Sequence, residues 1–300
     1  MILSLARHRR SVITAVGVFV CLLAGVMPTA QAISTYNSRP ATERTNVGEM
    51  FGLYDQDHDG VLDRFSPACS GTMISDNVYL TAAHCLALWR AGTRFYVSLD
   101  QDVRSELDQA AALGLTGQAE ADWFVANGHA VEGDRYWDPD YTRANPVDLG
   151  VIDFSTRSTN PADVWTFTPA TLPAADELSM LGSRALDADS WTTVGYGTQQ
   201  ADHSDGGKPT FPGGEVRLEA PMGFNSMPLP WVRLSAIESR DFGSACYGDS
   251  GGPNFVTVNG QDILASITVT GDAECKATNV TYRMDIASTR SFLSGFVALP

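Results

Sequence analysis

Short apolar runs rich in β-branched and aromatic residues recur along this chain between clusters of Gly, Pro and Asp, and this pattern constrains the fold more than any other feature. Val78-Tyr79-Leu80-Thr81, Phe95-Tyr96-Val97-Ser98-Leu99, Leu149-Gly150-Val151-Ile152, Trp191-Thr192-Thr193-Val194 and Ile263-Leu264-Ala265-Ser266-Ile267 all have strand length. Branched side chains are stiff at χ1 and pack well on a pleated surface, while Gly and Pro close the turns between strands. An all-β fold is predicted. Helix is expected at two places only, Ser105 to Leu113 and an amphipathic C-terminal stretch from Ile286 to Val297. Residues 158–173, rich in Pro, Thr and Asn and without alternation, read as the connection between two halves. With 300 residues, 44% of them hydrophobic, the chain can bury one large core or two small ones, which excludes a disordered protein.

The first 32 residues have the make-up of an export signal. Arg7, Arg9 and Arg10 precede the apolar run Val12 to Val26, and Ala30-Gln31-Ala32 offers a small-residue cleavage site, so the mature chain is expected to begin at Ile33. An uncleaved anchor is the alternative, but a run of about 15 residues is short of the roughly 20 that a spanning helix needs. Arg9-Arg10 invites a twin-arginine reading, which the flanking residues support weakly. Removing three arginines and no acid takes the net charge from −15 to about −18. Such a surface repels phosphate backbones and anionic headgroups, so nucleic-acid and membrane-surface partners are excluded. A secreted monomer in the extracellular or periplasmic space is expected, with no membrane association once the signal is gone.

Cys21 leaves with the signal, and Cys69, Cys85, Cys246 and Cys275 remain. An even number in an oxidising compartment implies two disulfides, and four cysteines allow three pairings. None has zinc-site spacing.

Two segments carry chemistry. Cys246-Tyr247-Gly248-Asp249-Ser250-Gly251-Gly252-Pro253 sets a serine among glycines, which let a backbone turn tightly and aim its N–H groups at a substrate carbonyl. Thr81-Ala82-Ala83-His84-Cys85 follows an apolar strand. A serine nucleophile needs an imidazole to take its proton, a carboxylate to orient the imidazole, and donors for the oxyanion. His8, His58, His129 and His203 have no comparable setting.

Together the two segments resemble the chymotrypsin/trypsin family of serine peptidases, whose histidine motif reads Thr-Ala-Ala-His-Cys and whose serine motif reads Gly-Asp-Ser-Gly-Gly-Pro. Cys69-Ser70-Gly71-Thr72-Met73-Ile74-Ser75 is similar to the family's Cys-Gly-Gly-Ser-Leu-Ile strand, and Val194-Gly195-Tyr196-Gly197 to the first strand of its second barrel. The resemblance runs from about Val47 to the C-terminal helix and is closest to the bacterial secreted members. It implies two six-stranded antiparallel β-barrels, residues 33–165 carrying His84 and Asp148 and residues 166–300 carrying Ser250 and the terminal helix. It implies the pairings Cys69–Cys85 and Cys246–Cys275. The family's Asp-Ile-Ala-Leu-Leu matches Asp148-Leu149-Gly150-Val151-Ile152, which favours Asp148 over Asp138, Asp140 and Asp153. Ser250 is then the nucleophile, His84 the base, Asp148 the orienting carboxylate, and the Gly248 and Ser250 N–H groups the oxyanion hole. The regions Val103 to Asp134 and Gln199 to Gly214 are longer than in the family.

By the same resemblance Ser244 forms the floor of the primary specificity pocket, with Thr270 (or Val269) and Val280 as its walls. An uncharged floor and filled walls imply cleavage after small to medium uncharged residues. Asp249 is the carboxylate that receives a new N-terminal amine, from Ile33 or, after cleavage at Arg44, from Thr45. No cofactor is needed for catalysis, and polypeptides are the substrates. Separately, Asp55, Asp57, Asp59 and Asp63 with Gly60 match the first nine positions of a calcium loop, but Ser66 stands where Glu closes it. An acidic hairpin turn is the competing expectation. An esterase with the same triad disagrees with the order His, Asp, Ser, since α/β-hydrolases place Ser first. A binding protein on an inherited fold disagrees with complete chemistry at every nominated position.

Overall fold

A sheet with one apolar face buries that face and loses both edges by closing on itself, and this chain does so twice. The computed structural model describes residues 37–142 and 147–300. The expected signal, 1–32, and Ile33 lie outside the described residues. After the two-residue strand β1 (Arg39–Pro40), six strands form the first closed barrel: β2 (Val47–Tyr54), β3 (Arg64–Met73), β4 (Val78–Thr81), β5 (Arg94–Ser98), β6 (Val131–Trp137) and β7 (Gly150–Asp153). Its order is β2-β3-β4-β7-β6-β5, every pair antiparallel. Phe51, Phe65, Tyr79, Phe95, Tyr96 and Val97 are buried on its two faces, with Phe51 and Phe65 stacked at 4.7 Å between ring centroids.

The second barrel is built from β8 (Ser190–Gly195), β9 (Leu218–Ser226), β10 (Trp231–Ser235), β11 (Pro253–Val258), β12 (Gln261–Gly271) and β13 (Thr278–Arg283). The order β9-β10-β13-β12-β11-β8 is closed by antiparallel pairing of β8 with β9. Between the barrels run residues 154–189, which include the expected connection. β1 pairs with β9, so the chain touches the second barrel before it builds the first.

Helices are α1 (Ala83–Ala87), α2 (Val103–Ala112), α3 (Gly117–Ala126), α4 (Pro161–Val164), α5 (Glu177–Ala188) and α6 (Ala287–Leu293). The expected helix at 105–113 is α2, started by the Asp102 carboxylate accepting the Ser105 N–H at 3.1 Å. The C-terminal one is α6, shorter than expected. The sequence pattern did not announce α3 and α5. In α3 the apolar residues bunch as Trp123-Phe124-Val125-Ala126 instead of recurring every third or fourth position, and α5 is broken at Gly182, whose φ of 76° and ψ of 159° are not helical. Among the described residues no helix is long and apolar enough to cross a membrane.

Two covalent and two polar ties fix the halves. Cys69 is bonded to Cys85, joining β3 to α1, and Cys246 to Cys275. Loop-closure arithmetic gives each about 3 kcal/mol. At the seam the buried Arg217 donates to the carbonyls of Ala41, Val47 and Leu99 and to the Tyr196 hydroxyl, and that hydroxyl donates to Asp100 O at 2.6 Å.

Candidate active site

The strand β4 delivers Ala82 and Ala83, both fully buried, so that His84 emerges at the start of α1 at the seam. Asp148, 3% exposed, sits just before β7, which pairs with β4. Both of its carboxylate oxygens go to His84: Oδ2 lies 2.7 Å from the ring Nδ1 and Oδ1 accepts the backbone N–H at 2.8 Å. Opposite an ionised carboxylate a neutral imidazole carries its proton on Nδ1, and Nε2 is left with a free lone pair. Two of the three rival acids bond to near neighbours in the chain. Asp138 accepts the Asp140 N–H and Asp153 holds Ser155.

The loop 246–252 meets this pair from the second barrel. Gly251 makes the meeting possible, since a Cβ there would come within 2.1 Å of Thr81 Oγ1 and 2.7 Å of Ala82 N, and its φ of 78° is left-handed. The Ser250 carbonyl oxygen lies 3.7 Å from Cys85 Sγ, beside the histidine segment. Within the loop Asp249 N–H donates to Cys246 O and Gly251 N–H to Thr268 O, whereas among the described residues no carbonyl takes the Gly248 or Ser250 N–H. Asp249 is wholly buried; its carboxyl accepts the Gly197 N–H at 2.8 Å and the Cys246 N–H at 2.7 Å, and burial pushes its pKa up to about 7.

The family model described as Trypsin matches residues 48–292. The chain belongs to the trypsin family. It is a serine endopeptidase hydrolysing peptide bonds, a chemistry for which the family needs no cofactor. No curated protein matches the chain.

Beside Ser250 this trypsin-family chain has a cavity of about 290 Å³, lined among others by Thr268, Thr270, Asp272 and Asn279. Of the expected pocket residues, Thr270 and its alternative Val269 are both in the wall. Ser244 is buried, its hydroxyl donating to Ala245 O at 2.9 Å, and neither it nor Val280 lines the cavity. Asn279 does, and the sequence reading passed over it. Its Nδ2 is shared between Asn254 Oδ1 at 3.1 Å and Thr268 Oγ1 at 3.2 Å. The carboxylate of Asp272 is consumed by the N–H groups of Glu274, Lys276, Ala277 and Thr278, which hold its pKa below the usual value against the opposing effect of burial.

Away from the cleft, the hairpin turn between β2 and β3 gathers Asp55, Asp57 and Asp59, whose ligand atoms lie within 4.8 Å of one another. Asp55 accepts N–H groups from His58, Asp59 and Gly60, and these bonds lower its pKa. Asp63 stands outside that trio and accepts the Gln56 N–H at 2.9 Å.

Ser70 was not singled out from the sequence, although it stands where the family strand has glycine. Its N–H donates to Ser250 O at 2.9 Å, and its hydroxyl donates to Gly248 O at 2.9 Å while accepting the Tyr196 N–H at 2.9 Å. It thereby positions both residues whose N–H groups are free. Ser70→Ala strands a buried donor and acceptor, at about 1–3 kcal/mol. Turnover of a peptide substrate should fall about tenfold or more with KM little changed. An unaltered kcat would show that the hydroxyl does not hold the loop.

Proposed function

We propose that the protein is an exported monomeric endopeptidase working through an acyl-enzyme on Ser250. His84 Nε2 takes the Ser250 hydroxyl proton as Oγ attacks the peptide carbonyl, and Asp148 holds the imidazole in the required tautomer and stabilises its charge. The oxygen that becomes negative is received by the Gly248 and Ser250 N–H groups. His84 then passes the proton to the leaving nitrogen, and water releases the acyl group by the same route. One observation carries this reading: the double contact of Asp148 with His84, beside a loop with two free N–H groups. The two disulfides support an oxidising compartment, in keeping with removal of residues 1–32. Asp249 is the carboxyl available to an N-terminal amine, whether from Ile33 or Thr45. A fluorophosphonate probe should label the protein at Ser250. Ser250→Ala, His84→Ala and Asp148→Asn should each cut turnover by about 10⁴-fold or more. A Ser250→Ala protein that still hydrolyses peptides would overturn the assignment.

The residue before the cleaved bond is read by the cavity beside Ser250. A Lys or Arg head buried there would find only Asp272, whose oxygens are already taken, and an unpaired buried charge costs several kcal/mol. Thr270 and Asn279 leave room for an uncharged side chain of small or medium size. A peptide library should show Ala, Val or Leu favoured at that position, and a clear preference for Lys or Arg would refute the pocket reading.

The Asp55, Asp57 and Asp59 trio is a candidate calcium site, with the half-buried carboxylate of Asp55 and the exposed ones of Asp57 and Asp59 converging on one point. If it binds calcium, chelation should lower the melting temperature and added calcium restore it, by mass action on the folded state. No shift leaves an acidic hairpin turn.

A further inference from the structure

A second cavity, of about 240 Å³, adjoins the pocket beside Ser250, and the two share Tyr247 and Gly248 as a common wall. The remaining wall holds two carboxylates among uncharged residues. Glu49, projecting from β2, is 4% exposed, and its Oε2 has no partner among the described residues. Glu215 reaches the same cavity from the second barrel and is ion-paired with Arg104 of α2.

We infer that this cavity is a substrate subsite for a cationic side chain, Lys or Arg, on the leaving-group half of the peptide. The inference rests on the endopeptidase reading above. A peptide whose scissile carbonyl sits on the Gly248 and Ser250 N–H groups has its acyl half at the first pocket, so its other half continues across Gly248 toward the second.

The charge balance identifies the ligand. Burial holds the Glu49 carboxyl well above the usual carboxylate range, and the charges of Glu215 and Asp249 reinforce the effect. Among the described residues Arg104 is the cation that opposes this effect on Glu49, and it is already committed to Glu215. Arg104 also donates its backbone N–H to Glu215 O at 2.9 Å, so the inserted helix α2 fixes that wall in place. A positive group entering the cavity would supply the charge that Glu49 lacks, and a buried carboxylate gains most from such a partner. A metal ion suits the site less well. Two carboxylates from opposite barrels are too few for a hard cation that wants six or more oxygens, whereas a Lys or Arg head needs one carboxylate and is delivered by its own backbone.

The test uses internally quenched peptides that carry Lys, Ala or Glu at each of the first three positions after the cleaved bond. At one of them kcat/KM should rank Lys above Ala above Glu, with Lys over Ala by about tenfold, the yield of a charge-assisted hydrogen bond. In Glu49→Gln that ratio should drop toward one. Should this variant fail to fold, Glu215→Gln reads the same wall from the other barrel. Equal rates for Lys, Ala and Glu in the wild type overturn the inference, as does a Lys preference undiminished in whichever variants fold. If the wild type cleaves none of the peptides, the endopeptidase reading has failed separately. Binding of the Lys and Ala peptides to Ser250→Ala protein, followed by fluorescence anisotropy, then decides. Tighter binding of the Lys peptide that weakens with salt supports the cationic site, and equal binding overturns it.

Discussion

The cleft depends on backbone groups of one barrel being satisfied by the other. Ser250 O is held by the Ser70 N–H, Gly248 O by the Ser70 hydroxyl, and Thr81 Oγ1 donates to Ser70 O, so a single residue of β3 is bonded to both the loop 246–252 and the strand leading to His84. The loop keeps its shape although two of its N–H groups have no carbonyl partner among the described residues. It persists here because its neighbouring carbonyls and N–H groups are committed: Asp249 to Gly197 and Cys246, Gly251 to Thr268. The free donors are the residue of an otherwise complete account.

How much of this was legible in the sequence follows from the range of the interactions. Local signals did well. Strand-length runs at Val78, Phe95, Trp191 and Ile263 all fall in strands, and the segments around His84, Asp148 and Ser250 meet at the seam. What could not be read is what depends on long-range approach. The hydroxyl of Ser70 acquires a purpose only when residues 178 positions away fold back onto it. Asn279 and not Val280 is in the pocket wall because β13 alternates, with Asn279 and Thr281 buried and Val280 half-buried between them, and an error of one place exchanges an inward for an outward side chain. Glu49 reads as an ordinary strand polar residue until β2 is closed between β3 and β5.

The inserted segment between β5 and β6 has a similar lesson. Its two helices pack on the first barrel, α3 burying Phe124 against Phe51 and Phe65, yet Arg104 at the start of α2 reaches across to the second. Extra length in this chain therefore went into the wall of the cleft as well as onto the surface of one barrel.

The strand β1 lies on β9 of the second barrel and is secured there by Arg39 and Arg44 on Glu219, after which the chain crosses to build the first barrel. At the other end Phe296, just beyond α6, rests against Tyr136 of β6, its ring centroid 5.5 Å away. The two barrels are thus laced together by a strap at each end of the described chain in addition to the stretch that runs from β7 to β8. A cleft bounded in this way resists opening like a hinged shell, since any rotation of one barrel on the other must strip β1 or lift the C-terminal segment. Movement of one barrel on the other is thus coupled to ion pairs at one end of the described chain and to a ring contact at the other.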